Sequence, residues 1–441
     1  RYSPWLGRTE NQVAMQRLDS KREERKRLAK LTATIGTVTN ANRMFSSSAA
    51  IDDELDYTPV EEAELKHTPF GEDGSGYYSE ATKGCYDVIA NAKELVTHAV
   101  DRALAARAAA GTQGSLFTVA DFGTADAGTS MPLMVSVVQQ VRAAEGASTP
   151  IMVAYEDQTN NDWNSVFKRV HGVLPGADQS YLDDASDTNV FMCAVGTSFY
   201  KPCFPAGTVD VSFSATAMHW LSSVPCTIPD ALHSACSEDP TALAAFEAQA
   251  AKDWAHIMKL REVELKDGGQ MVLVNFAKDE NGCFLGTSGR VAESMHHTFA
   301  NIWRELVTPE EFEATNFPNQ YRSLAATVAP FEQGLLGSMS LVSADTRLVP
   351  CPYLDSFASG ADTYAFAGDA AGHAVNYVPT TRTWSNSTFV AGLSNDRTAE
   401  EKDALVEEMF EAYTARVSAD PLNHSMDYTH AYLHAEKILQ K

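Results

Sequence analysis

From about residue 77 the chain alternates short apolar runs with stretches in which apolar residues recur every three or four positions. Cys85 to Ala110 carries the helical period and predicts an amphipathic helix, which Gly111 to Gly114 ends. A buried strand is predicted from Leu116 to Asp121, a helix from Met131 to Glu145 and a second strand from Ile151 to Tyr155. Further apolar runs at Val190 to Val195, Val209 to Phe213 and Met271 to Phe276 bring the strands to five. Strands and helices in this alternation predict a doubly wound, mostly parallel α/β sheet. After Phe276 the regularity fails. Residues of about 285 to 330 read as a helical, irregular cap inserted late in the sheet, followed by a strand pair around LLGSMSLVSAD. The alternation of THAYLHAEKI near the end predicts a last, half-exposed strand. The resulting division is an extension over 1–65, a core with helical insertions over 66–284, a cap over 285–332, and 333–441 completing sheet and cap.

Charge narrows the partners. The 441 residues hold 34 Lys and Arg against 58 Asp and Glu, a formal charge of −24. Such a field repels phosphate backbones and anionic lipid, so nucleic-acid and membrane-surface binding are disfavoured. No apolar run approaches the roughly 18 residues of a membrane span. Seven scattered cysteines show neither a CxxC pair nor zinc-finger spacing, which predicts unpaired, mostly buried thiols in a reducing, cytoplasmic setting. The glycosylation triplets at Asn386 and Asn423 are read as chance matches. Near the start, SKREERKRLAKL and RMFSSSAA resemble an organellar leader, but Glu23 and Glu24 interrupt the basic run. An ordered extension packing on a neighbouring subunit is the expectation, with organellar targeting as the alternative.

The strongest local feature is LFTVADFGTADAGTS, residues 116–130: a strand ending in Asp121 that turns through Gly123 and Gly128 into a helix. That arrangement presents backbone N–H groups at the carboxyl edge of a sheet. It lacks the GxGxxG of a dinucleotide site and the Gly-Lys-Ser/Thr of a P-loop, and GxSxG is absent from the chain. An acid at the strand end suits a cationic or hydroxyl-bearing ligand. The next strand runs into VAYEDQTNNDWN, which puts Asp157 where an acid accepts both hydroxyls of a ribose. An ordinary structural turn explains the glycines equally well.

Five elements in order carry a family likeness. YEDQTNNDWNSVF resembles NDLPGNDFNTIF of the SABATH methyltransferases, which include salicylate, benzoate and jasmonate carboxyl methyltransferases and caffeine-pathway N-methyltransferases. GYYSEATKG resembles that family's SYxxNSxxQ, GTSFYKPCFP its PGSFYxRLFP, SATAMHWLSSVP its SSYSLHWLSQVP, and NFPNQYRS its NIPxYxPS. The resemblance covers residues of about 70 to 441. It implies a Rossmann-like methyltransferase sheet with a mostly helical cap, S-adenosylmethionine as cofactor, a small-molecule substrate and a homodimer. It also implies that Asp121 and Gly123 shape the cofactor pocket, that Asp157, with Gln158 beside it, holds the ribose, and that Ser198 and Phe199 flank the adenine. Thr82 falls where the family has a cofactor-contacting Ser, and Tyr78 closes over the methyl donor.

On the substrate side the resemblance implies that His219 and Trp220 orient the acceptor, both as hydrogen-bond donors. A carboxylate is already ionised at neutral pH, so beyond such orientation no catalytic base is expected. Two departures matter: Cys85 stands where the family has its carboxylate-binding Gln, and Thr216 where it has a pocket Tyr. Ala127 also replaces a loop Gly. The expectation is O-methylation of a small carboxylic acid, with N-methylation of an amine or heterocycle as runner-up. S-methylation and a catalytically silent binding protein follow. The pairs His296-His297 and His430/His434 suggest ligands but lack partners at metal-site spacing, so no metal is expected.

Overall fold

The computed structural model describes residues 69–174, 179–184, 186–291, 293–360 and 369–438, so the expectations for residues 1–65 lie outside the described residues. In chain order the helices and strands are α1 (Tyr77–Ala81), α2 (Lys83–Ala110), β1 (Phe117–Phe122), α3 (Met131–Glu145), β2 (Ile151–Asp157), α4 (Trp163–Val170), β3 (Val190–Gly196) and β4 (Val209–Ala215). They continue with α5 (Pro240–Glu264), β5 (Leu265–Lys278), α6 (Met295–Leu306), α7 (Pro309–Ala314), β6 (Arg322–Ser323), α8 (Leu324–Glu332) and β7 (Met339–Val349). The last are α9 (Pro352–Ser359), α10 (Ala370–Gly392), α11 (Ala399–Ala419) and β8 (Tyr428–Lys437).

The sheet runs β3-β2-β1-β4-β5-β8-β7, with the short β6 beside β5. The first five strands are parallel and β8 is inserted antiparallel between β5 and β7. This is a doubly wound, Rossmann-like sheet with an antiparallel strand added near one edge. The strand order reverses between β1 and β4, the switch point at which open α/β sheets leave a crevice beyond their carboxyl ends.

Period-two alternation divides the strand side chains between two cores. Val119, Val153, Phe213 and Val274 pack with α2 and α3, whereas Ala120, Ala154, Met271 and Leu433 pack with Trp254 and Met258 of α5. Both faces being covered, the central strands read as near-continuous apolar runs.

Three expectations change. The last strand is not half-exposed: Tyr428 through Ala435 are all buried, because β8 lies between two strands with α2 packed on it from one element and α8 from another. The strand pair is one long strand, β7, with Leu335 and Leu336 in the turn before it. All seven cysteines are free, but only Cys85 and Cys351 are buried and the other five are partly exposed. Among the described residues no helix is long and apolar enough to cross a membrane.

The helical layer beyond the sheet draws on two separate stretches, 295–314 and 370–419. An aromatic cluster joins them: Trp303 and Phe389 lie 4.8 Å apart and Phe299 and Tyr413 4.9 Å. Thr308 and Thr398 start α7 and α11 with full capping boxes. Within 285–332 the helices part company, since α8 packs on β7 and α5 instead.

Gly84, in the first turn of α2, ties this framework to the site. A Cβ there would lie 2.2 Å from ring atoms of Tyr428 at the start of β8. Gly84→Ala is therefore expected to destabilise the protein by about 1–3 kcal/mol through overpacking, seen as a lower urea midpoint at unchanged m-value.

Candidate functional site

Two carboxyl groups mark the carboxyl edge. Asp121, one residue from the end of β1, is buried, and its Oδ2 accepts from Thr124 Oγ1 at 3.0 Å and Ser130 Oγ at 2.6 Å. Asp157 ends β2, with Oδ2 accepting from Ala125 N at 2.8 Å and Oδ1 from Gln158 N at 2.7 Å. Burial pushes both up to about 6, against the pull of these hydrogen bonds. An acceptor-rich, under-solvated pair of this kind fits a ligand that brings hydroxyl donors and positive charge.

The loop between them is tightly wound. Gly123 has φ 70°, and a Cβ there would fall 2.2 Å from that of Ala217, so only glycine fits. Ala125 and Ala127 also adopt left-handed φ, 50° and 62°, which for alanine costs about 1–2 kcal/mol each. The position where the family has glycine thus keeps the glycine conformation with a methyl group attached. Asp126 holds the loop: it accepts from Ser79 N at 3.0 Å, from Ser79 Oγ, from Gly128 N at 3.1 Å and from Arg169 at 3.0 Å. That carboxylate latches α1, and Tyr78 with it, onto the glycine turn. Sequence reading did not single it out, although an acid flanked by small residues was the available signal.

On the neighbouring strand ends, Gln158 O accepts from Trp163 Nε1 at 3.2 Å, and Ser198 Oγ accepts from Tyr200 N at 3.3 Å. Phe199 is half-buried against the α5-side core, its ring 5.0 Å from that of Tyr200, and Arg261 clamps its carbonyl at 2.9 Å.

Next to this edge lies a small cavity of about 40 Å³. Cys85, Thr216, His219 and Trp220, expected on the substrate side, all line it, as do Tyr78, expected between donor and acceptor, and Thr82. Thr82 Oγ1 donates to the Tyr78 carbonyl at 2.6 Å. Burial holds the Tyr78 phenol well above its ordinary value and pushes the Cys85 thiol up to about 11, so both stay protonated. Thr216 has φ 59°, a rare conformation for a β-branched residue, and its hydroxyl meets His430 Nε2 at 3.2 Å. The His219 ring stands edge-on to Phe276 at 5.0 Å.

Sequence reading missed the far wall. Thr380 and Trp384 of α10 line the cavity, as do Met426 and Tyr428. Thr380 Oγ1, Trp384 Nε1 and Tyr428 OH have no hydrogen-bond partner among the described residues. Asn319 and Tyr321 belong to the NFPNQYRS element, so a signal existed without an assignment. Their loop runs beside the strand-end segment: Asn319 bridges Trp220 antiparallel, Leu221 N donates to Pro318 O at 2.7 Å, and Gln320 N to His219 O at 3.0 Å. His296 and His430 are buried, His296 against the His233 ring, and among the described residues no group of three or more His, Cys, Asp or Glu is placed to hold a metal.

Residues 66–328, more than half of the chain, match the family described as SAM dependent carboxyl methyltransferase. The chain belongs to this family, the SABATH methyltransferases. Among SABATH relatives, Arabidopsis thaliana indole-3-acetate O-methyltransferase 1 is 29% identical over 36% of this chain and 44% of its own length. Gibberellic acid methyltransferase 1 of the same plant is 24% identical over 60% and 72%. Loganic acid O-methyltransferase of Catharanthus roseus is 28% identical over 62% and 74%. The first of these matches thus spans less than half of the relative. A solved loganic acid methyltransferase with S-adenosylhomocysteine has the same fold, with TM-score 0.64 at 18% identity over 84% of this chain and 99% of that one.

Behind the SABATH site and along β8 this chain buries several neutral histidines. Burial lowers His233 and His430 to about 3 and His434 to about 4, and moves His296 well below the usual imidazole value. A folded value below the unfolded ~6.5 means stability present above that pH and lost below it. Between pH 7 and 5, His233 and His430 each remove about 2 kcal/mol, while protonation of Asp121, Asp157 and Glu156 acts in the opposite direction. His434→Gln removes one histidine loss, so its thermal midpoint is expected to fall less, or rise more, than that of wild type between pH 7 and 5, as calorimetry would measure.

Proposed function

We propose that this chain transfers the methyl group of S-adenosylmethionine to the carboxylate of a small acid, giving a methyl ester. The observation that carries the reading is the convergence of His219, Trp220, Tyr78, Thr216 and Cys85 on one cavity beside the Asp121 and Asp157 edge. Asp157 and Gln158 serve the ribose, Ser198 and Phe199 the adenine, and Asp121, Gly123 and Thr82 the rest of the cofactor. Tyr78 covers the reactive end. The bound cofactor supplies an activated methyl group on a sulfonium. His219 and Trp220 align the acceptor oxygen, and the cap excludes water, which is the whole of the protein's task in an in-line displacement from a donor already activated. The acid brings its own negative charge, so no proton needs to be removed. Indole-3-acetate, gibberellic acid and loganic acid, the acceptors in the relatives' names, set the class of acid to try. Family likeness supports a homodimer, and seven free thiols suit a reducing compartment such as the cytoplasm.

N-methylation of an amine or heterocycle is the second reading. It is favoured by Cys85, a weak and permanently protonated donor where a carboxylate-binding amide would stand.

Titration calorimetry with S-adenosylhomocysteine tests the cofactor half. Asp157 ionises at about 6, so affinity should hold above that pH and weaken about tenfold per unit below it, and Asp157→Asn should be weak at every pH. Base hydrolysis of the labelled product tests the other half: an ester releases its label as methanol, whereas an N-methyl product keeps it. His219→Gln is expected to lower kcat/KM by about tenfold or more, and unchanged KM and kcat would remove His219 from the site.

A further inference from the structure

Among the described residues no Lys or Arg lines the cavity, so the donors these offer a carboxylate there are neutral, and the Cys85 thiol is a poor one. Asn319 stands directly opposite Trp220 in an antiparallel bridge, and residues so paired project their side chains to the same face about 5 Å apart. Both line the cavity.

The orientation of the Asn319 amide is dictated from behind. His233 is fully buried, its ring stacked on His296 at 4.4 Å and on Tyr321 at 4.3 Å. Its Nδ1 accepts from Ala235 N at 2.9 Å, so the ring hydrogen must sit on Nε2. That N–H donates to Asn319 Oδ1 at 2.5 Å. With the carbonyl end so taken, the NH2 end is the one left for the cavity. Burial holds His233 near 3, so the tautomer persists throughout the working range.

We propose that Asn319, with its amide oriented by His233, supplies the second hydrogen-bond donor to the substrate carboxylate alongside the Trp220 indole, in place of the amide that Cys85 lacks. The inference rests on the ester reading. It makes Asn319 a specificity residue for acids and His233 a positioning residue.

The test uses a panel of small acids on indole, benzene and terpenoid rings. Methyl transfer is measured first, then calorimetric binding of the best acid to the protein saturated with S-adenosylhomocysteine. Asn319→Asp keeps the shape and the acceptor for His233 but puts a carboxylate against a carboxylate, and is expected to lower acid kcat/KM and ternary binding by about 100-fold or more. Asn319→Leu should cost about 10- to 100-fold. S-adenosylhomocysteine affinity should stay within about twofold of wild type in both, which also reports an intact fold. His233→Leu should cost about tenfold, and adding it to Asn319→Leu should cost nothing more, a non-additivity that a general packing role does not produce. If the protein esterifies acids and both Asn319 variants stay within about threefold of wild type, the inference is overturned while the ester reading stands. If wild type neither esterifies nor binds any acid of the panel, both fall together.

Discussion

Carboxyl groups taken out of water at the ends of two neighbouring parallel strands are the constraint around which this molecule is arranged. Asp121 is buried and Asp157 half-buried, and each draws hydrogen bonds from the loop after β1 or from its own strand end. For those donors to point inward the loop must pass through left-handed backbone at Gly123, Ala125 and Ala127, and Asp126 must tie it to α1 and Arg169. The burial that makes the acids costly in the empty protein makes them effective toward a ligand carrying hydroxyls and positive charge.

The substrate cavity has a different construction. Its walls come from α1 and α2, from the segment after β4, from the loop before β6, from α10 and from the start of β8. Tyr78 and Tyr428 are some 350 residues apart in sequence and share one cavity. The chemistry is therefore split: the sheet edge fixes the cofactor end by local turns, and the acceptor end is set by packing among distant segments. Variation in acceptor among relatives that share the fold is what such a division permits.

The same division decides what was legible in the sequence. The first five strands and the helices Cys85 to Ala110 and Met131 to Glu145 announced themselves by period, and Asp121, Gly123 and Asp157 by their places at strand ends, because local order encodes them. The last strand misled because polar and histidine positions alternate in it; Gln270 meets His434 across the β5 pairing at 2.9 Å and lets that polar ring be buried. Thr380 and Trp384 were invisible, since nothing within α10 records that α1 and β8 face it. Asn319 lay inside a recognised element, but its significance depends on His233, some 86 residues earlier.

The pairing of the Asn319 loop with the Trp220 segment also constrains traffic. Separating these two stretches would break the main-chain hydrogen bonds Leu221 N to Pro318 O and Gln320 N to His219 O, and with them the His233 to Asn319 contact. Displacing α10 breaks none of the three. It would instead pull Phe389 from Trp303 and Trp384 from His296, so the acceptor-aligning side of the cavity is held by main-chain pairing and the far side by ring packing.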